Sequence, residues 1–368
     1  MIPLSVKIVQ YIEKFQPGTS NRLPNKLLKV HNKGQNAMYM VDPETAKIFV
    51  SVIMNDLSKN MCHVAEMNPG YGTITRELLN AGVPFVNLYE EQPYFKSVLS
   101  NLMSEYPNRL RLVPYNIAKL NSFRYLDNVT NSSKVEEVLQ VIEPKQWEDE
   151  TCVQFVGAIT NELFMKQIIM NIIFQDCYMS RGRPVFYVAI SPIQWKVHKF
   201  HTLILYILCF SKCKINLFIF HEAYIPWYTP SRKEHKNNMY QESDSAILYI
   251  VKIEPKRDIF SRYIKQSDLM FFWHFLRHNL TSNNNRIIPQ LEKVVPGCGV
   301  RLIQENYSIF TQFNDLTAEE ILQLFQKLRN WPEFENSSFI PSMDSVLDKI
   351  YESELKYRTP AMEARTVD

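Results

Sequence analysis

The chain changes its hydrophobic rhythm once. From residue 61, short apolar, β-rich runs alternate with segments of helical period. "MCHVAEM" is followed by "TITRELLNAG", "FVNLYE" by "YFKSVLSNLMSEY", and "CVQFVG" by "ELFMKQIIMNIIF". "RLRLVPYN" leads into a polar stretch that includes "VTNSSKVEEV", "PVFYVAI" precedes an apolar segment around Leu203, and "KINLFIF" closes the series. Strands alternating with helices predict a mostly parallel sheet covered on both faces. One further run, "AILYIVKI" from Ala246, is expected to return antiparallel beside the last parallel strand.

After about Pro255 only helical patterns remain: "DLMFFWHFLRHNL", "IIPQLEKVV", "LTAEEILQLFQKLRNW" and "SMDSVLDKIYESEL", with turn signals at "SNNN" and "PGCG". Thr317 and Glu320 have the spacing of a capping box, which marks a helix start. This change of rhythm places an α/β domain at residues 35–255 and an all-helical domain at 256–368. The segment 1–34 precedes them. It carries Lys7, Lys14, Arg22, Lys26, Lys29 and Lys33 against the single acid Glu13, and reads either as a solvated basic arm or as a mitochondrial transit segment.

Composition narrows the class without deciding it. With 46% hydrophobic and 21% charged residues in 368, the chain is expected to bury a large core. A formal charge of +3 means that any basic surface is local. The six cysteines include no C-x-x-C pair, as expected for buried thiols in a reducing compartment. "LILYILCF", the longest apolar run, is too short to span a bilayer and reads as a buried helix.

Candidate chemistry begins at "AEMNPGYGTI". The chain holds nine glycines, yet Gly70 and Gly72 stand one residue apart between a predicted strand and a predicted helix. Glycines there let backbone approach a nucleotide-type cofactor, while the helix N-terminus favours its negative group. The next strand ends in Glu90 and Glu91, placed to accept hydrogen bonds from ribose hydroxyls.

The ordered set "MYMVDPETAKIF", "AEMNPGYGTITRELLNAG", "FVNLYEEQ", "FVG" and "ESDSAILYIVKI" resembles the rRNA adenine N6,N6-dimethyltransferase family over roughly residues 30–330. The glycine loop is common to many methyltransferases; "VDPETAKIF" and "DSAILYIVKI" are specific to this family. The resemblance implies a Rossmann-like class I methyltransferase sheet of seven strands with a helical C-terminal domain, and S-adenosylmethionine as cofactor. Carried over by position, its cofactor contacts fall at Met40, Glu66, Asn68, Gly70, Gly72, Glu90, Asn116 and Ala158. Asn68 stands where the family usually has Gly, and Asn116 where it usually has Asp.

The family positions its target amine with Asn-Leu-Pro-Tyr or Asn-Leu-Pro-Phe after the fourth strand. Asn and Pro oxygens accept the amine hydrogens, and the ring stacks on a flipped-out base. Here the positions hold Ala158, Ile159, Thr160 and Asn161, so the side-chain acceptor and the aromatic face are missing. A register slip of three residues would offer Asn161 and Phe164 instead.

Loss of this motif points to the branch of the family that serves mitochondrial transcription initiation. That branch implies mitochondrial RNA polymerase and melted promoter DNA as partners, a location in the matrix nucleoid, no membrane span, and a monomer outside the initiation complex. The alternative is an active dimethyltransferase acting on small-subunit rRNA. Candidate nucleic-acid contacts are Arg181 and Arg183 in "SRGRP", Lys196, Lys199, and Arg232 and Lys233 in "SRKEHK". The cluster Phe271 to Phe275 is expected in the core, and His274 with His278, lacking a third ligand, as packed histidines rather than a metal site.

Overall fold

The computed structural model describes residues 38–60, 63–158, 164–190 and 247–356 apart from 281 and 283, with short pieces of the first 23 residues and strand segments at 218–220 and 224–225. Among these residues the chain divides into two compact units, with the boundary between Ile259 and Phe260.

In the first unit the strands are β1 (Tyr39–Met40), β2 (Val64–Met67), β3 (Val86–Tyr89), β4 (Leu110–Val113), β5 (Val153–Ala158), β6 (Pro184–Ile190), β7 (Phe218–Phe220), β8 (Tyr224–Ile225) and β9 (Ile247–Ile253). Seven of them form one sheet in the order β4-β3-β2-β5-β6-β9-β7. From β4 to β6 every pairing is parallel, and β9 runs antiparallel to both β6 and β7. The expected seven-stranded, mostly parallel sheet is therefore present, and "AILYIVKI" is its antiparallel member. All residues of β2, β3, β5 and β6 are buried, because helices cover both faces; β4, at one edge, exposes part of its length.

The helices are α1 (Pro43–Leu57), α2 (Thr73–Asn80), α3 (Lys96–Glu105), α4 (Leu120–Thr130), α5 (Lys134–Leu139) and α6 (Phe164–Phe174). In α1 the Asp42 carboxylate accepts the Glu44 N–H, Pro43 takes the first turn, and Ala46, Phe49, Val50, Ile53 and Leu57 make one buried stripe. The "VDPETAKIF" motif is thus a helix start with its cap. The polar stretch after β4 folds into α4 and α5. The apolar run around Leu203 lies outside the described residues. Near the N-terminus, Ile12 and Leu23 join the core of this unit, so the described pieces there are packed rather than solvated throughout.

The second unit contains α7 (Leu269–Asn279), α8 (Ile287–Glu292), α9 (Cys298–Gln304), α10 (Ala318–Arg329) and α11 (Phe339–Lys356). Phe272 and Phe275 pack on Phe325 with ring centroids 5.1 and 5.5 Å apart, and Phe271 meets Phe334 at 5.9 Å. The aromatic cluster is core, as its period predicts. Thr317 and Glu320 make the reciprocal bonds of a capping box at the start of α10. His274 and His278 lie with centroids 6.1 Å apart, and no cluster of three metal-binding side chains occurs among the described residues. Cys152, Cys177 and Cys298 are buried. No described helix is long and apolar enough to cross a membrane.

Candidate cofactor site

The strand order reverses at β2: the chain moves outward through β3 and β4, then returns to place β5 on the other side. In open α/β sheets a crevice lies beyond the carboxyl ends of the strands at such a point, and ligands bind there. Four predicted segments converge on it: the glycine loop after β2, Glu90 after β3, Asn116 after β4, and Ala158 at the end of β5.

The loop is built from left-handed residues, with φ of 54° at Asn68, 57° at Gly70 and 71° at Gly72. Asn is among the few side-chain-bearing residues that adopt this conformation readily, so the Gly-to-Asn departure at 68 leaves the loop's path intact. Side chains of the chain itself account for both glycines. A Cβ at Gly70 would lie 2.7 Å from Tyr39 Cδ1, and one at Gly72 would lie 2.5 Å from Leu102 Cδ2. Tyr39 is 2% exposed and packs on Phe95 at 4.6 Å, while Tyr71 and Tyr94 meet the same Phe95 ring at 5.2 and 4.8 Å. Tyr39 was not among the residues singled out from the sequence; its position beside Met40 was the available signal. Met40 is buried in β1, and its carbonyl accepts the Thr73 hydroxyl at 3.0 Å, tying β1 to the start of α2.

Glu90 sits where a ribose acceptor is expected, but loop amides already hold its carboxylate. Gly70 N–H donates to Oε2 at 3.2 Å and Gln92 N–H to Oε1 at 2.9 Å. Burial pushes its pKa up to about 7, against the pull of those two donors. Each oxygen retains a lone pair for a further donor. The neighbouring Glu91 is committed to Lys119 at 2.7 Å, which separates the roles of the two acids. Glu66, at 1% exposure, accepts the Thr75 hydroxyl at 2.6 Å, and burial pushes it up to about 8. A carboxyl in that state is a neutral element of the fold beneath the loop.

Asn116 caps the short turn Ile117–Lys119: its side-chain oxygen accepts the Ala118 N–H at 3.0 Å. An adenine amine would need that acceptor, and the Asp-to-Asn change leaves a single oxygen with one remaining lone pair in place of two carboxylate oxygens. Asn68 presents the opposite case. It is 4% exposed, and neither its amide nitrogen nor its oxygen has a partner. Buried polar atoms are satisfied as a rule, so an orphaned carboxamide in this loop is the feature that fits a ligand.

Ala158 ends β5 opposite Ala189 of β6, 2% exposed, with only a methyl group to offer. Its neighbour Gly157 pairs with Met67, and a Cβ there would lie 2.7 Å from the Met67 carbonyl oxygen. Ile159, Thr160 and Asn161 lie outside the described residues. Phe164, the aromatic member of the slipped register, belongs to the core: it is 2% exposed and makes edge contacts with Phe186 at 5.9 Å and Tyr178 at 6.3 Å. A ring held on those partners has no free face for a base.

The basic candidates divide. Lys196, Lys199, Arg232 and Lys233 lie outside the described residues. Arg181 and Arg183 precede β6 and therefore sit at the entry end of a parallel strand, opposite the crevice. Arg183, 5% exposed, binds Glu254 at 3.0 Å and the Asp149 carbonyl at 3.1 Å, and Arg181 pairs with Glu136. Both guanidinium groups hold the protein to itself. Their place ahead of β6 and their ion pairs do not favour a loop that tracks a phosphate backbone.

Comparison with known proteins adds a lineage. No family model matches the chain. Over 384 aligned positions, covering 90% of this chain and 84% of the other, it is 29% identical to the mitochondrial dimethyladenosine transferase 2 of Drosophila melanogaster. Among solved structures it is similar to the 23S rRNA methyltransferase ErmE, at 15% identity and TM-score 0.47, with 79% of this chain and 100% of that one covered. A dimethyladenosine transferase from Plasmodium falciparum aligns at 11% identity and TM-score 0.49, covering 79% of this chain and 97% of that one.

Proposed function

We propose that this chain, a member of the rRNA adenine dimethyltransferase family, acts in mitochondria as a transcription initiation factor that helps mitochondrial RNA polymerase hold melted promoter DNA, rather than as an rRNA methylase. The observation that carries the reading is Ala158. The end of β5 is where an exocyclic amine must be held in line with a methyl donor, and a methyl side chain cannot accept its hydrogens. Phe164, the aromatic of the slipped register, is committed to the core.

The crevice retains features that fit S-adenosylmethionine at its sugar end. Asn68 has an unused amide, and Glu90 has lone pairs for ribose hydroxyls. Asn116 offers the adenine end one remaining lone pair, since its single oxygen also caps a turn. When bound, the cofactor supplies an electrophilic methyl group. The chain's own residues would hold and orient the nucleoside but offer nothing at Ala158 to align an acceptor. Cofactor binding and methyl transfer are therefore separable in this scaffold, and the orphaned Asn68 favours retention of the first alone.

Two assays on one preparation test the reading. Promoter-dependent initiation by mitochondrial RNA polymerase is expected to require this protein, and labelled methyl transfer to the small-subunit rRNA hairpin is expected at background level. Robust methylation, or promoter opening by the polymerase without the protein, would overturn it.

A further inference from the structure

Four of the six large hydrophobic side chains that stand exposed among the described residues fall within eleven positions of the second unit. Val300 and Ile303 lie on α9, and Ile309 and Phe310 in the turn after it, each between 52% and 65% exposed. Single exposed apolar residues need no explanation, but such a concentration on one helix and its turn marks an interaction surface. Leu302 and Cys298 of α9 are buried, so Val300, Arg301, Ile303 and Gln304 form its outward face. Arg301 on this face binds Glu333 at 3.0 Å and stacks on Trp331 at 5.5 Å. Glu333 in turn lines a cavity of about 390 Å³ walled by Val294, Val295, Pro296 and Pro332. Arg301 thereby joins the apolar helix face to this recess, whose lining also includes Asn336 and Ser337.

The charges around this surface specify the partner's chemistry. Four carboxylates of these segments are engaged within the unit. Glu292 accepts the Gly297 and Gly299 amides, Glu305 holds Lys327, Asp315 accepts the Gln312 amide, and Glu333 holds Arg301. Among the described residues Arg286 has no carboxylate partner and lies over the Phe310 ring at 5.3 Å, and Lys293 reaches the Gln290 side-chain oxygen at 3.4 Å. Two uncompensated cations beside exposed Val, Ile and Phe match a protein segment that carries apolar side chains next to carboxylates. A phosphate backbone would satisfy the cations but leave the four apolar side chains in water.

We infer that the outward face of α9, the 309–310 turn and the adjoining recess form the docking site for an acidic, apolar segment of a partner protein. This inference rests on the function proposed above in taking mitochondrial RNA polymerase as that partner. Apolar anchors would seat on Val300, Ile303 and Phe310, and a carboxylate would pair with Arg286.

The test is equilibrium binding of the full chain to purified mitochondrial RNA polymerase, with promoter DNA binding and sedimentation measured in parallel. The Val300→Ser, Ile303→Ser double variant is expected to weaken polymerase binding at least tenfold. Arg286→Glu, a surface change that leaves the core untouched, should weaken it several-fold and reduce its salt dependence. DNA binding and the monomer mass should stay as in the parent. Unchanged polymerase affinity in both variants overturns the docking site while leaving the initiation role standing. Selective loss of DNA binding, or a parent dimer that the double variant dissolves, assigns the surface to another occupant and also overturns it. A parent protein with no affinity for the polymerase defeats the proposed function itself.

Discussion

Glu66→Gln isolates one buried carboxyl whose proton the fold has to keep. The side chain lies in the middle of β2's neighbourhood at 1% exposure, with the Thr75 hydroxyl as donor and Glu90 as a nearby acid that further disfavours a second charge. Its pKa rises from 4.5 to about 8, chiefly through burial. Between those values the folded state binds one proton more than the unfolded state, so stability falls as pH rises, by about 1.4 kcal/mol per pH unit. Accumulated to pH 8, the cost is about 5 kcal/mol, a large share of the stability of an ordinary domain. Glutamine keeps the shape and an oxygen to accept the Thr75 hydroxyl, and it never ionises. Urea unfolding of both proteins at pH 5, 6, 7 and 8 is expected to give nearly equal stabilities at pH 5 and a variant that is more stable by several kcal/mol at pH 8. Glu90, pushed up to about 7, bends both curves in the same direction, and its repulsion of an ionised Glu66 adds to the loss in the parent alone. Two parallel curves would refute the account of Glu66 as a neutral group, because a carboxylate ionised in both states gives no such slope.

Three further outcomes follow from the same geometry. Gly157→Ala should destabilise the first unit by about 2 kcal/mol in urea titrations, since the added Cβ meets a backbone oxygen of the central strand rather than a movable side chain. His274, 2% exposed, is pushed down to about 4 by burial, so the folded state binds fewer protons than the unfolded state between pH 6.5 and 4. Stability should fall by up to about 3 kcal/mol as pH drops through that window, and His274→Phe should lack that portion of the loss in the same titration. Arg183→Met, which leaves Glu254 with Lys252 as its remaining cation and takes the donor from the Asp149 carbonyl, should lower thermal stability by about 1 to 2 kcal/mol with promoter DNA affinity unchanged; a loss of DNA affinity without a loss of stability would restore its reading as a phosphate contact.

The layout of the sheet was legible because each parallel strand is a short, largely apolar run followed by a helix of different period. "AILYIVKI" could be placed only as a late strand; that it inserts between β6 and β7 is a matter of pairing that no local pattern records. The glycine loop was legible as a loop. Its glycines read as openings for a ligand, whereas Tyr39 and Leu102 fill the space beside them, contacts made by residues thirty positions away in either direction. Arg183 misled for a related reason. A charged residue in a Gly-Pro context resembles a solvated loop, and only the register of Glu254 beyond β9 shows that it is buried. Asn68 was recognised as a departure from the family pattern, but its orphaned amide is a property of the packed loop and has no sequence signature.

The position of β9 bears on how the chain must be made. β6 is seven consecutive buried residues, and the strand that pairs with its outer edge arrives roughly 60 residues later, a delay of several seconds at ribosomal speed. Throughout that interval nascent β6 presents an unpaired apolar edge, the template on which strands of other chains add. Any form that ends before Ile247, whether through truncation, proteolysis or stalled synthesis, would lack the strand that covers it. Such fragments should be recovered with chaperones or in aggregates, and the antiparallel strand that completes the sheet also ends the chain's most exposed phase of folding.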